Sequence, residues 1–377
     1  PRRVPGPPRR ASTTNPTLDS AAPLVACTYL WISGAATAPS TDLARGQRAR
    51  SLARDSRRMD ITRALILTDG AARRSDLLAM GVPERSIARA VHEGKVIRYA
   101  PGCYSFATAP VAVMRAVQFR ARIGCLTACE GAGLPVWDMP KMPHLIVPRS
   151  RSSSRRPVSD LESVRLHRID DLRASGLWTP VRHAIDQASG CCSPLAQLVL
   201  IEAALKAGAM SLEHLRAMQL GTARRRKWLN RWASSTSESP LETVARAGFL
   251  CAGLSVEQQV EVDGVGRVDM LVEGALVVEA DGWGFHADRS AFETDRERDG
   301  AALELGMPVL RVTSRMLRAD LEGVTRRVAA IVGRQPRASF PAQLAWLEGA
   351  PRCSPGTMRP QLTRSPSREH HNVRRVA

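Results

Sequence analysis

Between residues 238 and 332 the hydrophobic period of the chain switches from about 3.6 to about 2 and back at each boundary, and this restricts the fold more than any other feature. The segments read as a helix (SPLETVARAGFLCAG), three strands (VEQQVEV, RVDMLVE, ALVVEAD), a helix (RSAFETDRERDGAALELG), a strand (PVLRVT) and a closing helix. That αβββαβ order predicts a domain of the α/β (α+β) class over residues 237–334.

The strands carry carboxylates where apolar strands have reason to avoid them. Leu-Val-Val-Glu-Ala-Asp-Gly, residues 276–282, is apolar enough to be central, and two acids ending such a strand are costly unless paired or bound to a cation. Glu279 and Asp281, at i and i+2, share a face. Asp269 joins them across the hairpin only if the loop has an odd length. A three-residue loop at 273–275 sets Asp269 opposite Glu279, whereas a two-residue turn puts them on opposite faces. Ser239-Pro240-Leu241-Glu242 reads as a capping box with proline at the first helical position, so helix capping and a metal site are both open to Glu242. Gathered carboxylates suit Mg²⁺, or Mn²⁺ in its place, because the hard ion takes oxygen ligands and activates a water for attack on phosphorus.

The run from Ser239 through Glu242, Val268-Asp269, Val278-Glu279-Ala280-Asp281-Gly282, His286, Asp295-Arg296-x-Arg298-Asp299 and Val309-Leu310-Arg311-Val312-Thr313 resembles the endonuclease-like family related to very-short-patch-repair endonucleases, within the PD-(D/E)XK superfamily. The resemblance implies a restriction-endonuclease-like core that hydrolyses DNA phosphodiesters. It implies Asp269 and Glu279 as metal ligands and Glu242 as an inner or outer ligand. The lysine of the family pattern is Asp281 here, which leaves its water-positioning role to His286, Arg296 or Arg298. The candidate catalytic set is therefore Glu242, Asp269, Glu279, Asp281, His286 and Arg298. Asp295 and Asp299 around Arg298 equally fit helix-surface pairs.

From Met59 the pattern is helical in three short segments closed by Gly70, Gly81 and Gly94, each a plausible helix stop. Pro83 stands where a first-turn proline is tolerated, and Ile87, Ala90 and Val91 form the apolar stripe of a third helix. Two β-like pieces around Pro101-Gly102 follow, and together these elements predict a winged helix-turn-helix over 59–107. Residues 60–106, with the Gly81-Val82 turn, the Arg89 and Gly94 positions and the Arg98…Gly102-x-Tyr104 wing, resemble the N-terminal domain of AbiEi-type antitoxins. That resemblance implies DNA contacts from Arg85, Ser86 and Arg89 on the third helix and from Lys95, Arg98 and Tyr99 on the wing. Such small domains also serve as protein-docking modules.

Residues 108–236 read as a mixed linker domain. HLIVP and VRLHR are expected strands, SPLAQLVLIEAALKAGAMSLEHLRAM an expected helical pair, and Arg224 to Lys227 and the loop at 149–156 solvated charge or phosphate contacts. The eight cysteines contain no CxxC pair, which points to reduced thiols in the cytoplasm and predicts no structural zinc. Cys125 and Cys129 read as small core residues.

Residues 1–58 carry ten Arg against three Asp and residues 351–377 six Arg against one Glu, so the ends supply 12 of the 18 net positive charges. Residues 1–58 are expected to be a disordered or spurious extension, since the foldable pattern starts at Met59, although 21–37 faintly resemble a secretory apolar segment. Residues 335–377 are expected to be a disordered basic tail. No apolar run reaches the roughly eighteen residues of a membrane span. The expected partner is DNA, and the expected activity Mg²⁺-dependent endonuclease cleavage. The rival is a non-catalytic, antitoxin-like transcriptional regulator that uses a degenerate nuclease fold as a scaffold. Further partners on these readings are a cognate toxin or a repair or defence protein.

Overall fold

The computed structural model describes residues 59–151, 158–169, 176–281 and 289–349, and the side chains of all of these except 158–159 and 289–295. The head begins with α1 (Ile61–Leu67), whose N-terminus is capped by Asp60 accepting from the Thr62 amide at 3.1 Å. Gly70, Gly81 and Gly94 all take positive φ, so each expected stop is a left-handed turn. Between the first two stops lie β1 (Ala71–Arg73) and α2 (Arg74–Ala79), and α3 (Glu84–His92) follows with Pro83 at its N-cap. The wing is β2 (Ile97–Ala100) and β3 (Cys103–Ser105), and β1 pairs with β3 to complete a sheet of order β1-β3-β2. The β1 strand is absent from the sequence reading because its three residues are ordered by pairing with β3, a non-local partner. Ile61, Leu65, Leu77, Val82, Ile87 and Val96 fill the core of the head.

The middle of the chain is built on a second small sheet. After α4 (Val111–Phe119) come β4 (Arg122–Ile123), α5 (Cys125–Gly131), β5 (His144–Val147), α6 (Val158–Glu162) and β6 (Arg165–Arg168), with sheet order β4-β5-β6. The two expected strands are neighbours and run parallel. Then follow α7 (Val181–Ala188), α8 (Pro194–Lys206), α9 (Leu212–Arg216) and α10 (Ala223–Trp232). Arg225, expected as solvated charge, is 5% exposed. Its guanidinium donates to Gln197 Oε1 and to the carbonyls of Ser189, Cys192 and Ser193 at 2.6–3.0 Å, so it ties off helix and turn ends rather than facing a phosphate.

The last part carries α11 (Pro240–Ala252), β7 (Val256–Val262), β8 (Gly266–Val272), β9 (Leu276–Asp281), α12 (Arg289–Glu304), β10 (Val309–Thr313) and α13 (Ser314–Ile331), the αβββαβ order expected. Its sheet is β10-β9-β8-β7, antiparallel except for the parallel β9–β10 pair. Helix α11 packs closely on α13 at Gly248, where a Cβ would stand 2.9 Å from Leu321 Cδ1 and 2.8 Å from Thr325 Oγ1.

Two boundaries differ from expectation. One hydrophobic core runs from the middle helices into the C-terminal sheet and helices, across the boundary expected at 236/237. At that junction buried Glu202 of α8 pairs with buried Arg246 of α11 and accepts from Thr243 Oγ1 at 2.7 Å. The expected disordered tail at 335–377 is corrected over its first part: α14 (Phe340–Glu348) buries Phe340, Leu344 and Leu347 in the same core. Three fully buried apolar side chains contribute roughly 1.5–3 kcal/mol each, enough to order a helix that the basic composition around it hides.

Candidate functional site

Two groups of candidate residues were expected, one on the head and one on the C-terminal sheet. On α3 the buried face is Ile87 and Ala90, and the opposite face presents Arg85 and Arg89 to solvent with Ser86 partly covered. Arg85, Ser86 and Arg89 line a shallow groove with Met59, Asp60 and Pro83. Arg74 and Glu84 form a two-pronged ion pair that fastens the start of α3 to α2. Lys95 pairs with Glu93 at 2.8 Å and Arg89 approaches the same carboxylate at 3.8 Å, while Arg98 is exposed on β2. Such solvent-exposed pairs are weak and screened by water, so they exchange readily for another anion. Tyr99 departs from expectation. Its hydroxyl donates to the Met114 carbonyl at 2.9 Å, which turns the ring inward toward α4, and burial pushes its phenol above the usual range.

On the C-terminal sheet the hairpin decides the geometry. Val272 pairs with Leu276 across the loop 273–275, with Glu273 and Gly274 both at positive φ. Continuing the Leu271–Val277 and Met270–Val278 register by one step sets Asp269 against Glu279. Asp269 Oδ2 accepts from the Ala280 amide at 2.9 Å, which holds this carboxylate against the start of the Glu279–Asp281 stretch. Burial first, and then Asp269 beside it, push the Glu279 carboxyl up to about 7, against the opposing pull of Arg298 and Arg311.

Glu242 is tied into the start of its helix and also reaches toward the carboxylate pair. Its amide donates to Ser239 Oγ at 3.2 Å, and its carboxylate accepts from the Glu238 amide at 2.8 Å, completing the helix cap. The same Oε2 accepts from Gln259 Nε2 at 3.0 Å, and that nitrogen lies 3.4 Å from Asp269 Oδ1. Gln259 is the residue that sequence reasoning missed. It has φ +52 and interrupts the β7–β8 ladder between the Gln258–Met270 and Val260–Val268 pairs. Gln259 falls on the polar parity of the strand with Glu257 and Glu261, so period-2 alternation does not single it out.

The remaining candidates are placed as follows. Arg298 donates to the carbonyls of Val265 at 3.0 Å and Arg267 at 2.6 Å, and its Nη2 stands 3.7 Å from Glu279 Oε1. Asp281, although on the Glu279 face, is engaged by Arg311 at 3.4 Å, and Arg311 also binds Asp299 at 3.0 Å. Asp281 therefore sits in an ion-pair network beside the Asp269–Glu279 pair rather than within it. Arg296 is exposed and lies 3.8 Å from Asp299. His286 and the side chain of Asp295 lie outside the described residues. Two adjacent carboxylates fit Mg²⁺, which needs only one or two and keeps its waters, with Glu242 one amide away.

Among the described residues no helix is long and apolar enough to cross a membrane. Residues 59–107 match the model of a family described as transcriptional regulator, AbiEi antitoxin. No curated protein matches the chain.

Proposed function

We propose that this chain is a DNA-binding regulator of the antitoxin type, in which the winged helix of residues 59–107 is the DNA-contacting head. The observation that carries this reading is the family match over a segment whose third helix and wing expose Arg85, Arg89, Lys95 and Arg98. Guanidinium and ammonium groups on one helix face and an adjoining wing suit phosphates, whose condensed counterions they release. The antitoxin likeness adds a toxin protein as a second partner. Titrating labelled duplex DNA with the full chain at several salt concentrations tests the first part. Affinity that falls steeply with salt is expected, and no binding at about 50 mM salt overturns it.

A second reading rests on a different observation, the Glu242–Gln259–Asp269–Glu279 cluster on an αβββαβ core. On this reading the chain is a Mg²⁺-dependent endodeoxyribonuclease. Asp269 and Glu279 would hold the ion, which supplies an acidified water and charge neutralisation at the phosphate when bound. Gln259 fixes the spacing between Asp269 and Glu242. Arg298, pinned by two carbonyls, offers its guanidinium at the edge of the pair in place of the absent lysine. Plasmid nicking with Mg²⁺ or Mn²⁺, lost in Glu279→Gln while DNA binding persists, is the expected result. Unchanged nicking by the folded variant removes these residues from the site, and no nicking by the wild-type chain leaves the regulator as the function.

A further inference from the structure

Four metal-binding side chains that lie far apart in the sequence meet in the middle of the chain. Cys125 opens α5, His144 opens β5, His167 lies on β6 and Cys191 follows α7. Because Ile146 is opposite His167 in the parallel β5–β6 pair, His144, two residues before Ile146, projects on the same face as His167. Cys125, His144 and His167 are buried and Cys191 partly so. His144 Nδ1 and His167 Nε2 are 3.2 Å apart, and Cys191 Sγ is 3.7 Å from the same His167 nitrogen. One ligand atom from each of the four lies within 4.8 Å of every other.

A tetrahedral ion bonded at about 2.3 Å to sulfur and about 2.05 Å to nitrogen sets N–N edges near ~3.3 Å, N–S edges near ~3.6 Å and S–S edges near ~3.8 Å. The observed N–N and N–S separations of 3.2 and 3.7 Å agree with these edges. The backbone around the cluster is held to the same end. Cys125 has φ +52, a left-handed conformation that L side chains rarely adopt, and its amide is anchored on Gln187 Oε1 at 3.0 Å. Gly124 before it lets the chain press on β5, since a Cβ there would be 2.1 Å from Ile146 Cδ1. The His144 amide donates to Thr127 Oγ1 at 2.9 Å, which locks the start of β5 onto α5.

We propose that Cys125, His144, His167 and Cys191 form a structural Zn²⁺ site. Two thiolates and two imidazoles select a borderline-soft ion over Mg²⁺, and four protein ligands in a buried position leave no open coordination place for substrate. The ion joins α5, both strands of the parallel pair and the turn after α7, where the sheet is three short strands. The proposal departs from the sequence expectation of no structural zinc, because the four residues come from four segments and no CxxC spacing advertises them. This site is independent of the Asp269–Glu279 pair and of either reading of function.

The full chain, purified under reducing conditions without chelator, is expected to carry about one zinc per molecule by elemental analysis. Cys125→Ser with Cys191→Ser should remove it, whereas Asp269→Asn with Glu279→Gln should retain it. Cobalt substitution of the wild-type chain is expected to give strong tetrahedral d–d bands and a thiolate-to-cobalt charge-transfer band, so the site is read even if the cysteine variant fails to fold. Chelation should lower the melting temperature of the wild-type chain. A cooperatively folding wild-type chain that retains no zinc after reconstitution, zinc retained by the double cysteine variant, or cobalt spectra without a thiolate band would each overturn the proposal.

Discussion

At Glu279 two effects act in one direction, since burial strips water from the carboxylate and Asp269 stands against it, and the group rises from 4.5 to about 7. A carboxyl whose pKa is higher in the folded than in the unfolded chain is a folded-state liability once ionised. Its destabilisation is absent below about pH 4.5, grows as pH rises through the window to about 7, and stays constant above it. At 17% side-chain exposure the solvent screens little of this effect. Glu279→Gln cannot ionise, so without divalent metal it should melt higher than the wild-type chain at pH 8 and close to it at pH 5. Adding Mg²⁺ at pH 8 should raise the wild-type melting temperature and leave the variant unmoved. Equal pH dependence in the two proteins would mean that Glu279 ionises freely in the folded state.

Helix α3 and strand β2 carry exposed basic side chains of the head on a scaffold fixed by their inward faces. Ile87 and Ala90 bury one face of α3, and Tyr99 is turned inward on β2 to hold the wing on α4. Arg85, Arg89, Lys95 and Arg98 are exposed on these two elements and the turn between them, with Glu93 set between two of them. If α3 meets phosphates, Arg85→Ala with Arg89→Ala removes at most two contacts. The slope of log affinity against log salt should flatten by about two units or less, with stability within roughly 0.5 kcal/mol of wild type because both side chains are exposed. An unaltered slope would assign this face to a protein partner. A change in melting temperature of many degrees would show that the arginines hold the head together. The Arg74–Glu84 pair is a separate contact, and the double substitution leaves it in place.

Across the whole molecule the middle helices and the C-terminal layers share one core, with the Glu202–Arg246 pair buried at the junction. Removing either member would strand a charge in the core, an effect of several kcal/mol, and this argues that 108–236 and 237–349 unfold as a unit. Helix α14 closes that core through Phe340, Leu344 and Leu347, and Trp346 packs edge-on against Trp228 of α10. The Arg337 amide donates to the Ala252 carbonyl at 2.9 Å, so the chain is already tied to the end of α11 before α14 starts. A chain running from Met59 to Gly349 should therefore melt as the full protein does. One ending at Arg334 should lose at least several degrees or its cooperativity, since it exposes the pocket that α14 fills. Equal melting of the two truncated chains would show that α14 adds nothing to the core.

Where neighbours in sequence are neighbours in space, the residues alone determined the outcome. The glycine stops of the head, the Ser239–Glu242 cap and the αβββαβ order follow from local period and capping chemistry. The three-residue hairpin that lines up Asp269 with Glu279 was legible as one of two parities, and the fold selected between them. What only the tertiary structure decided are partnerships between distant segments. Gln259 joins Glu242 to Asp269, Arg225 is buried in a ring of carbonyls, Arg311 draws Asp281 aside, and Cys125, His144, His167 and Cys191 converge. A polar residue in a sequence has the same composition and period whether it ends in water, on a carbonyl or on an ion. Its partner is set by the packing of apolar surface elsewhere in the chain, which local pattern does not encode.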